Sequence, residues 1–247
     1  MKTLLAINLA LLLTSAARAD NIEALQSVGP AAAGAAGARE ASEELIDGGG
    51  KNLLHLLKAF KGSSALATNW LRSTFEAIAD AEIKAGRSLP KDDLITFVKT
   101  TSESPEARRL AYEWLLKRSP QLEEMLIPEM LLDPSPDFRR DAVARLIEEA
   151  RTLNGDAATD AYRKAFRGAV HEDQVKTISK ALRDADQEVD IQEHFGFLPA
   201  WKIVGPFDNK DKKGYPIAYP PEEKIDLDAE YDGQLGKVKW IPISTDD

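Results

Sequence analysis

Few residue groups in this chain have the types and spacing that chemistry requires. Gly48-Gly49-Gly50-Lys51 supplies backbone N–H groups and an ammonium, the parts of a phosphate-cradling loop. That chemistry needs GxxxxGK followed by Ser or Thr on a strand-to-helix turn. Here Asn52 follows the lysine, Leu45 stands at the first glycine position, and no strand pattern precedes. Ser88-Leu89-Pro90-Lys91 has the spacing of a serine nucleophile with a lysine base, but the SDN-like and KTG-like companions are missing. Pro90 also prevents the ordinary helical turn that would carry Lys91 back beside Ser88. His55, His171 and His194 are too dispersed for a zinc site and have no cysteine partners or nucleophile pattern nearby. Asp208, Asn209 and Asp211 carry oxygen ligands of the calcium-binding type, but Lys210, Lys212 and Lys213 neutralise the loop, which reads as a solvated turn. Glu222-Glu223 follows Pro220-Pro221 on a polyproline-like edge, with no motif to set a second carboxylate across a cleft. The expectation is therefore no catalytic residues, no cofactor-binding residues and no metal ligands.

Aromatic side chains leave one binding chemistry open. Trp201, Tyr215, Tyr219 and Trp240 are candidates for stacking on a sugar, if exposed. The competing reading makes Trp201 and Trp240 core residues of facing strands, where aromatics are favoured.

Charge and composition narrow the partners. Net charge is −9 at pH 7, from 32 basic and 41 acidic residues. Nucleic acid and anionic membranes both call for a basic face, so neither is expected as a partner. Protein, peptide and carbohydrate remain open. There is no cysteine, so the core must come from apolar packing without disulfides.

Lys2, the apolar run from Leu4 to Leu13, and Ala17-Arg18-Ala19 ahead of Asp20 are the three parts of a cleavable secretory leader. The run is too short to span a bilayer. Residues 1–19 are thus predicted to be a signal peptide, placing the chain in a periplasmic or extracellular space. Cleavage removes Lys2 and Arg18 and no acid, so the net charge becomes two units more negative.

The rest divides by pattern. Residues 20–50 are predicted to be a flexible Ala/Gly-rich spacer, low in complexity over 27–38, with a short helix over 39–47 closed by the three glycines. Over 51–186 the apolar residues recur at helix spacing: Leu53, Leu56, Leu57 and Phe60; Leu71, Phe75 and Ile78; Leu94, Phe97 and Val98. Further helices are predicted over 157–170 and 172–185.

Within that stretch, SPEARRLAYEWL (104–115) recurs as SPDFRRDAVARL (135–146), with six identities in twelve positions at an offset of 31. Each copy reads as a helix start. Ser104 and Ser135 are N-caps, Pro105 and Pro136 take the first helical position, and Glu106 and Asp137 complement the dipole. Ala111 and Ala142 are small enough for close helix approach, with Leu115 and Leu146 one turn on. A helix-turn-helix period near 30 predicts a mainly α fold built as an α-solenoid. The run DPSPDFRRDAVARL (133–146) resembles a HEAT repeat. That resemblance implies a structural ladder between neighbouring repeats, in which Asp133 with Arg139 or Arg140 fills the roles of turn aspartate and helix arginine, and Arg108 and Arg109 are the counterparts one repeat earlier.

From Gln187 onward glycine, proline and aromatics rise. Alternation over 199–207 and 236–243 predicts strands in an all-β second part, 187–247. That part is too short to close a sandwich, which takes about 100 residues, so the chain is expected to be the front of a longer protein. HFGFLPAWKIVGPFDN (194–209), YPPE (219–222) and Trp240 resemble the opening of a galactose-binding-like β-sandwich module. With NWLR (69–72) and RRLAYEWL (108–115), residues 66–245 resemble secreted bacterial proteins in which HEAT repeats precede such a module. The resemblance implies an exported, non-catalytic scaffold that binds a protein or peptide on its helical surface. The other function implied is the accessory N-terminal part of a larger carbohydrate-processing protein, with the β-module holding the sugar.

Overall fold

The computed structural model describes residues 18–244. The apolar core of the expected leader lies outside the described residues. The fold is mainly helical with a small antiparallel strand part at the C-terminal end. It divides after Asp186 into two compact units.

In the first unit, residues 18–26 are helical (α1). They are followed by α2 (Ala35–Gly48), α3 (Leu53–Ala59), α4 (Ala65–Lys84), α5 (Lys91–Lys99), α6 (Pro105–Arg118), α7 (Leu122–Leu126), α8 (Pro136–Thr152), α9 (Gly155–Gly168) and α10 (Glu172–Asp184). The stripes predicted from spacing form the core: Leu53, Leu56, Leu57, Leu71, Phe75, Ile78, Leu94 and Val98 are fully buried. Ala111 and Ala142 are also buried, letting their helices approach closely. Ser104 caps α6 as expected, its Oγ accepting from the Ala107 amide at 3.4 Å.

Two local expectations need correction. Residues 20–50 are not a flexible spacer: Leu25, Val28, Ala38, Ala41 and Leu45 are buried in the same core as α3 and α4. Alanine is the strongest helix former, and Ala38, Ala41 and Leu45 recur at i, i+3 and i+7, so a tract that looks featureless in composition still presents an apolar stripe. Second, Ser135 does not cap α8 with its side chain. Asp133 Oδ1 instead holds the amide of Ser135 itself, at 2.8 Å. The triglycine closes the helix, as expected: α2 ends at Gly48. Gly49 adopts φ +68° and Gly50 N–H donates to Glu82 Oε1 at 3.1 Å. Arg87 clamps the same carboxylate at 2.6 and 3.1 Å. The loop cradles a carboxylate from its own fold.

The second unit holds α11 (Ile191–Phe195), β1 (Ala200–Ile203), α12 (Pro220–Glu223), β2 (Glu230–Gly233), β3 (Gly236–Lys239) and β4 (Ile241–Ser244). It is therefore not all-β. The strands form two separate antiparallel pairs, β1 with β4 and β2 with β3. The single strand predicted over 236–243 is broken at Trp240, whose Nε1–H donates to the Asp226 carbonyl at 2.9 Å. The Tyr231 hydroxyl donates to that same carbonyl at 3.2 Å. This tether turns the chain from one ribbon to the other. Gly214 and Pro221 alone are buried among the described residues of this unit.

Candidate functional site

The repeated S-P-x-x-R-R segment positions four arginines on equivalent turns of α6 and α8. Arg108 and Arg139, the first of each pair, reach backbone carbonyls. Arg108 Nε–H donates to Val98 O at 2.7 Å, and Arg139 donates twice to Asp133 O at 3.0 and 2.8 Å. Arg109 and Arg140, the second of each pair, reach forward to an aspartate on a later helix. Arg109 donates to Asp141 at 2.5 Å, 32 residues on, and Arg140 holds Asp173 in a two-pronged pair at 3.0 and 2.6 Å, 33 residues on.

The acid–arginine contacts run between the two copies of the segment. Asp133 does not pair its carboxylate with Arg139 or Arg140. It is gripped by Arg108 of the preceding copy at 2.9 and 2.6 Å, with the Arg108 side chain fully buried and that of Asp133 nearly so. A buried fork-to-fork pair satisfies both ions where solvent cannot. Asp141 and Asp173 went unnoticed in the sequence. The available signal was an acid about one repeat length after each second arginine.

Between α6, α7 and α8 lies an open groove of about 640 Å³. Arg109, Tyr112, Glu113, Lys117, Glu123 and Asp141 are among its lining residues. Tyr112 forms its floor. The residue is only 2 % exposed, and its ring meets Phe138 edge-on at 5.4 Å while the Arg109 guanidinium lies 5.2 Å from its centroid. Its hydroxyl has no hydrogen-bond partner among the described residues. Burial, then the fields of Glu123 and Asp141, push that hydroxyl up to about 12, so it stays protonated at neutral pH.

The arginines of the groove are paired with carboxylates, while Lys117 has no ion pair among the described residues. Arg109 holds both Glu113 and Asp141, Arg145 pairs with Glu124, and the Lys117 ammonium sits 3.4 Å over the Trp114 ring. Glu148 pairs with Arg151. Glu123 is the lining carboxylate left without an ion pair among the described residues. Tyr112 and Glu123 are the groove residues that sequence reasoning missed, because nothing in their local spacing sets them apart from an ordinary helix face.

The four candidate sugar-stacking aromatics separate into two pairs. Trp201 and Tyr215 keep 52 % and 89 % of their surface exposed. Tyr219 and Trp240 are half-buried and committed: Tyr219 stacks on Phe207 at 4.7 Å and donates its hydroxyl to Asp208 O at 2.5 Å, and Trp240 is the tether described above. The structure does not bring the four onto one face.

Among the described residues no cluster of three or more histidine and acidic side chains is placed to hold a metal ion, and no helix is long and apolar enough to cross a membrane. His55 is exposed on α3, His171 precedes α10 and His194 lies on α11. No family model, curated protein or solved structure matches this chain.

Proposed function

We propose that this chain is an exported, non-catalytic scaffold that binds a protein or peptide partner on the surface of a HEAT-like helical array. One observation carries the reading. Arg109 and Arg140 occupy equivalent positions of the repeated segment, and each braces forward to an aspartate 32 or 33 residues on. A brace that recurs once per unit is what holds successive helix pairs of a solenoid in register, and a solenoid exposes a long continuous face. Export rests on the leader pattern of residues 1–19. Burial of Leu25 and Val28 agrees with it, because the segment just after Ala19 then belongs to the mature fold.

Two measurements test the reading. N-terminal sequencing of the protein from cells that express the full gene should begin at Asp20, and a chain retaining Met1 would overturn export. Chemical cross-linking of the full chain in those cells should join partner peptides to lysines of the helical unit, such as Lys84, Lys99 and Lys117. Cross-links confined to residues after Gln187 would overturn the helical surface as the binding face.

A second reading, an accessory sugar-binding part of a larger carbohydrate-processing protein, is favoured by the exposure of Trp201 and Tyr215. Aromatic faces open to solvent are available for stacking on sugar rings. Glycan-array binding by the full chain that disappears in Trp201→Ala or Tyr215→Ala is the result expected from it. An array with no binding removes it.

A further inference from the structure

Asn154 is the only asparagine in the chain followed by glycine; Asn8, Asn21, Asn52, Asn69 and Asn209 precede Leu, Ile, Leu, Trp and Lys. An asparagine reacts with its own backbone when the amide nitrogen of the next residue reaches the side-chain carbonyl carbon. A Cβ on that next residue crowds the approach, and glycine has none.

The fold leaves this pair open. Asn154 lies in the turn between α8 and α9 and is exposed, as is Gly155. The Asn154 side chain stands at the N-cap of α9 without accepting the hydrogen bond that an N-cap normally takes. Gly155 has φ +57°, and even a Cβ there would meet nothing within 4 Å. As the first residue of α9, it has an N–H outside the intrahelical ladder. With Asn154 ψ at 156°, the Asn154–Gly155 peptide must rotate to bring the Gly155 nitrogen over Asn154 Cγ. That rotation asks only the first turn of α9 to open, and element ends open at the lowest cost. The other described asparagines are held. Asn21 donates to Glu44 at 2.8 Å, Asn52 is buried, Asn69 lies inside α4, and Asn209 Oδ1 accepts from the Gly214 amide at 3.0 Å.

We propose that Asn154 is a site of spontaneous deamidation. The Gly155 amide gives its proton to solvent base, and its nitrogen attacks Asn154 Cγ. The N–Cγ bond forms, the Cγ–Nδ2 bond breaks, and Nδ2 takes up a proton and leaves as ammonia. The product is a five-membered cyclic imide. Water, the only co-reactant, then opens it. Cleavage of the N–Cγ bond leaves aspartate; cleavage of the bond to the main-chain carbonyl leaves isoaspartate. No group is oxidised or reduced, and each product carries one more negative charge than the parent. Aspartate at this position remains a good N-cap, and its carboxylate complements the α9 dipole. Isoaspartate lengthens the main chain by one methylene directly ahead of α9.

The test incubates the full chain at about pH 7 and about pH 9, since attack requires loss of the amide proton. Trypsin then releases Thr152–Arg163, which is followed by liquid chromatography and mass spectrometry against a sample taken at time zero. Two new forms of this peptide should grow in, each heavier by about 1 Da. They should form faster at the higher pH. Conversion should be at least about tenfold faster than at Asn21, Asn69 or Asn209 in the same digest, a ratio that a modest difference in barrier supplies. Ion exchange of the intact chain should show a more acidic species growing at the same rate. Asn154→Ser keeps a capping residue and removes the amide, so that species should be lost. A Thr152–Arg163 peptide that converts in urea but stays unchanged in the folded chain would overturn the proposal. So would an acidic species that grows undiminished in Asn154→Ser.

Discussion

In the helical unit an arginine lies fully buried with its aspartate, while in the strand unit a tryptophan keeps 52 % of its surface in water. The two units invert the usual placement of side chains, and the inversion follows from how each one closes. In the helical unit apolar stripes of neighbouring helices pack into a buried core, and even Arg108 can be enclosed once Asp133 and the Val98 carbonyl satisfy it. The strand unit has two ribbons of two strands each. On one of them Trp201 pairs across from Ile243 and Ile203 from Ile241, so these four side chains share one face. All four are more than a third exposed. A two-stranded ribbon is marginal in water and covers nothing by itself. The unit is held by hydrogen bonds to loop carbonyls and by the Phe207–Tyr219–Tyr231 group, not by a layered core.

The widest break in this contrast should come from Arg108→Met. It leaves Asp133 as a buried, uncompensated charge, and breaking such a pair costs about 3–5 kcal/mol. Urea unfolding followed by helical circular dichroism should record that loss, and a midpoint within error of the parent would mean that Arg108 and Asp133 are not enclosed together. Gly168→Ala comes next. A methyl group there would overlap the Leu131 carbonyl and side chain, and overpacking of this kind costs about 1–3 kcal/mol. An unchanged thermal midpoint would show that α9 has slack against the turn that carries Leu131.

A smaller effect is expected at Glu82. The hydrogen bond from Arg87 is the main influence holding its carboxyl below the ordinary range, burial opposes this, and the Gly50 amide assists. A carboxylate lowered in the folded state contributes stability that is complete above its unfolded value and is lost as pH falls through the folded one. Stability of the parent should therefore decline below about pH 4.5 more steeply than that of Glu82→Gln, which starts lower at neutral pH. Parallel pH profiles would remove the triglycine cradle as a stabilising device. Smallest of all is Trp201→Ala, which should leave the helical unfolding midpoint unmoved, because little packing is lost at an exposed site. A drop of several degrees would mean that the ribbon face is covered in solution, and the contrast between the units would narrow. Hydrogen exchange sharpens the same point: amides of α4 and α6 should be protected for far longer than those of β1 and β4.

Much of the helical unit was legible in sequence because a helix announces itself locally. The stripe Leu53, Leu56, Leu57 and the capped start Ser104-Pro105 depend only on residues within two turns. The spacer over 27–38 was misread for the complementary reason. Ala38 and Ala41 are too small to stand out in composition, and only the surrounding helices make their burial count. The ladder was half legible. Its arginines repeat at an offset of 31, but the partner of each is chosen by how the next helix packs, so Arg108 takes the Asp133 carboxylate and Arg139 the Asp133 carbonyl. In the strand unit, alternation over 236–243 identified extended chain and missed the break at Trp240, which depends on the distant Asp226 carbonyl.

What the sequence by itself determined is what short-range physics decides: helices over most of the chain, a shift to strands after Gln187, an acidic balance, no disulfides and no local catalytic motif. Tertiary structure alone decided which arginine meets which aspartate, that the Tyr112 ring is buried against Phe138, and that Trp201 stays in water while Trp240 is half-buried. Those outcomes depend on distances between residues tens of positions apart, and such distances are set only when apolar stripes from separate helices, or strands from separate ribbons, are brought together.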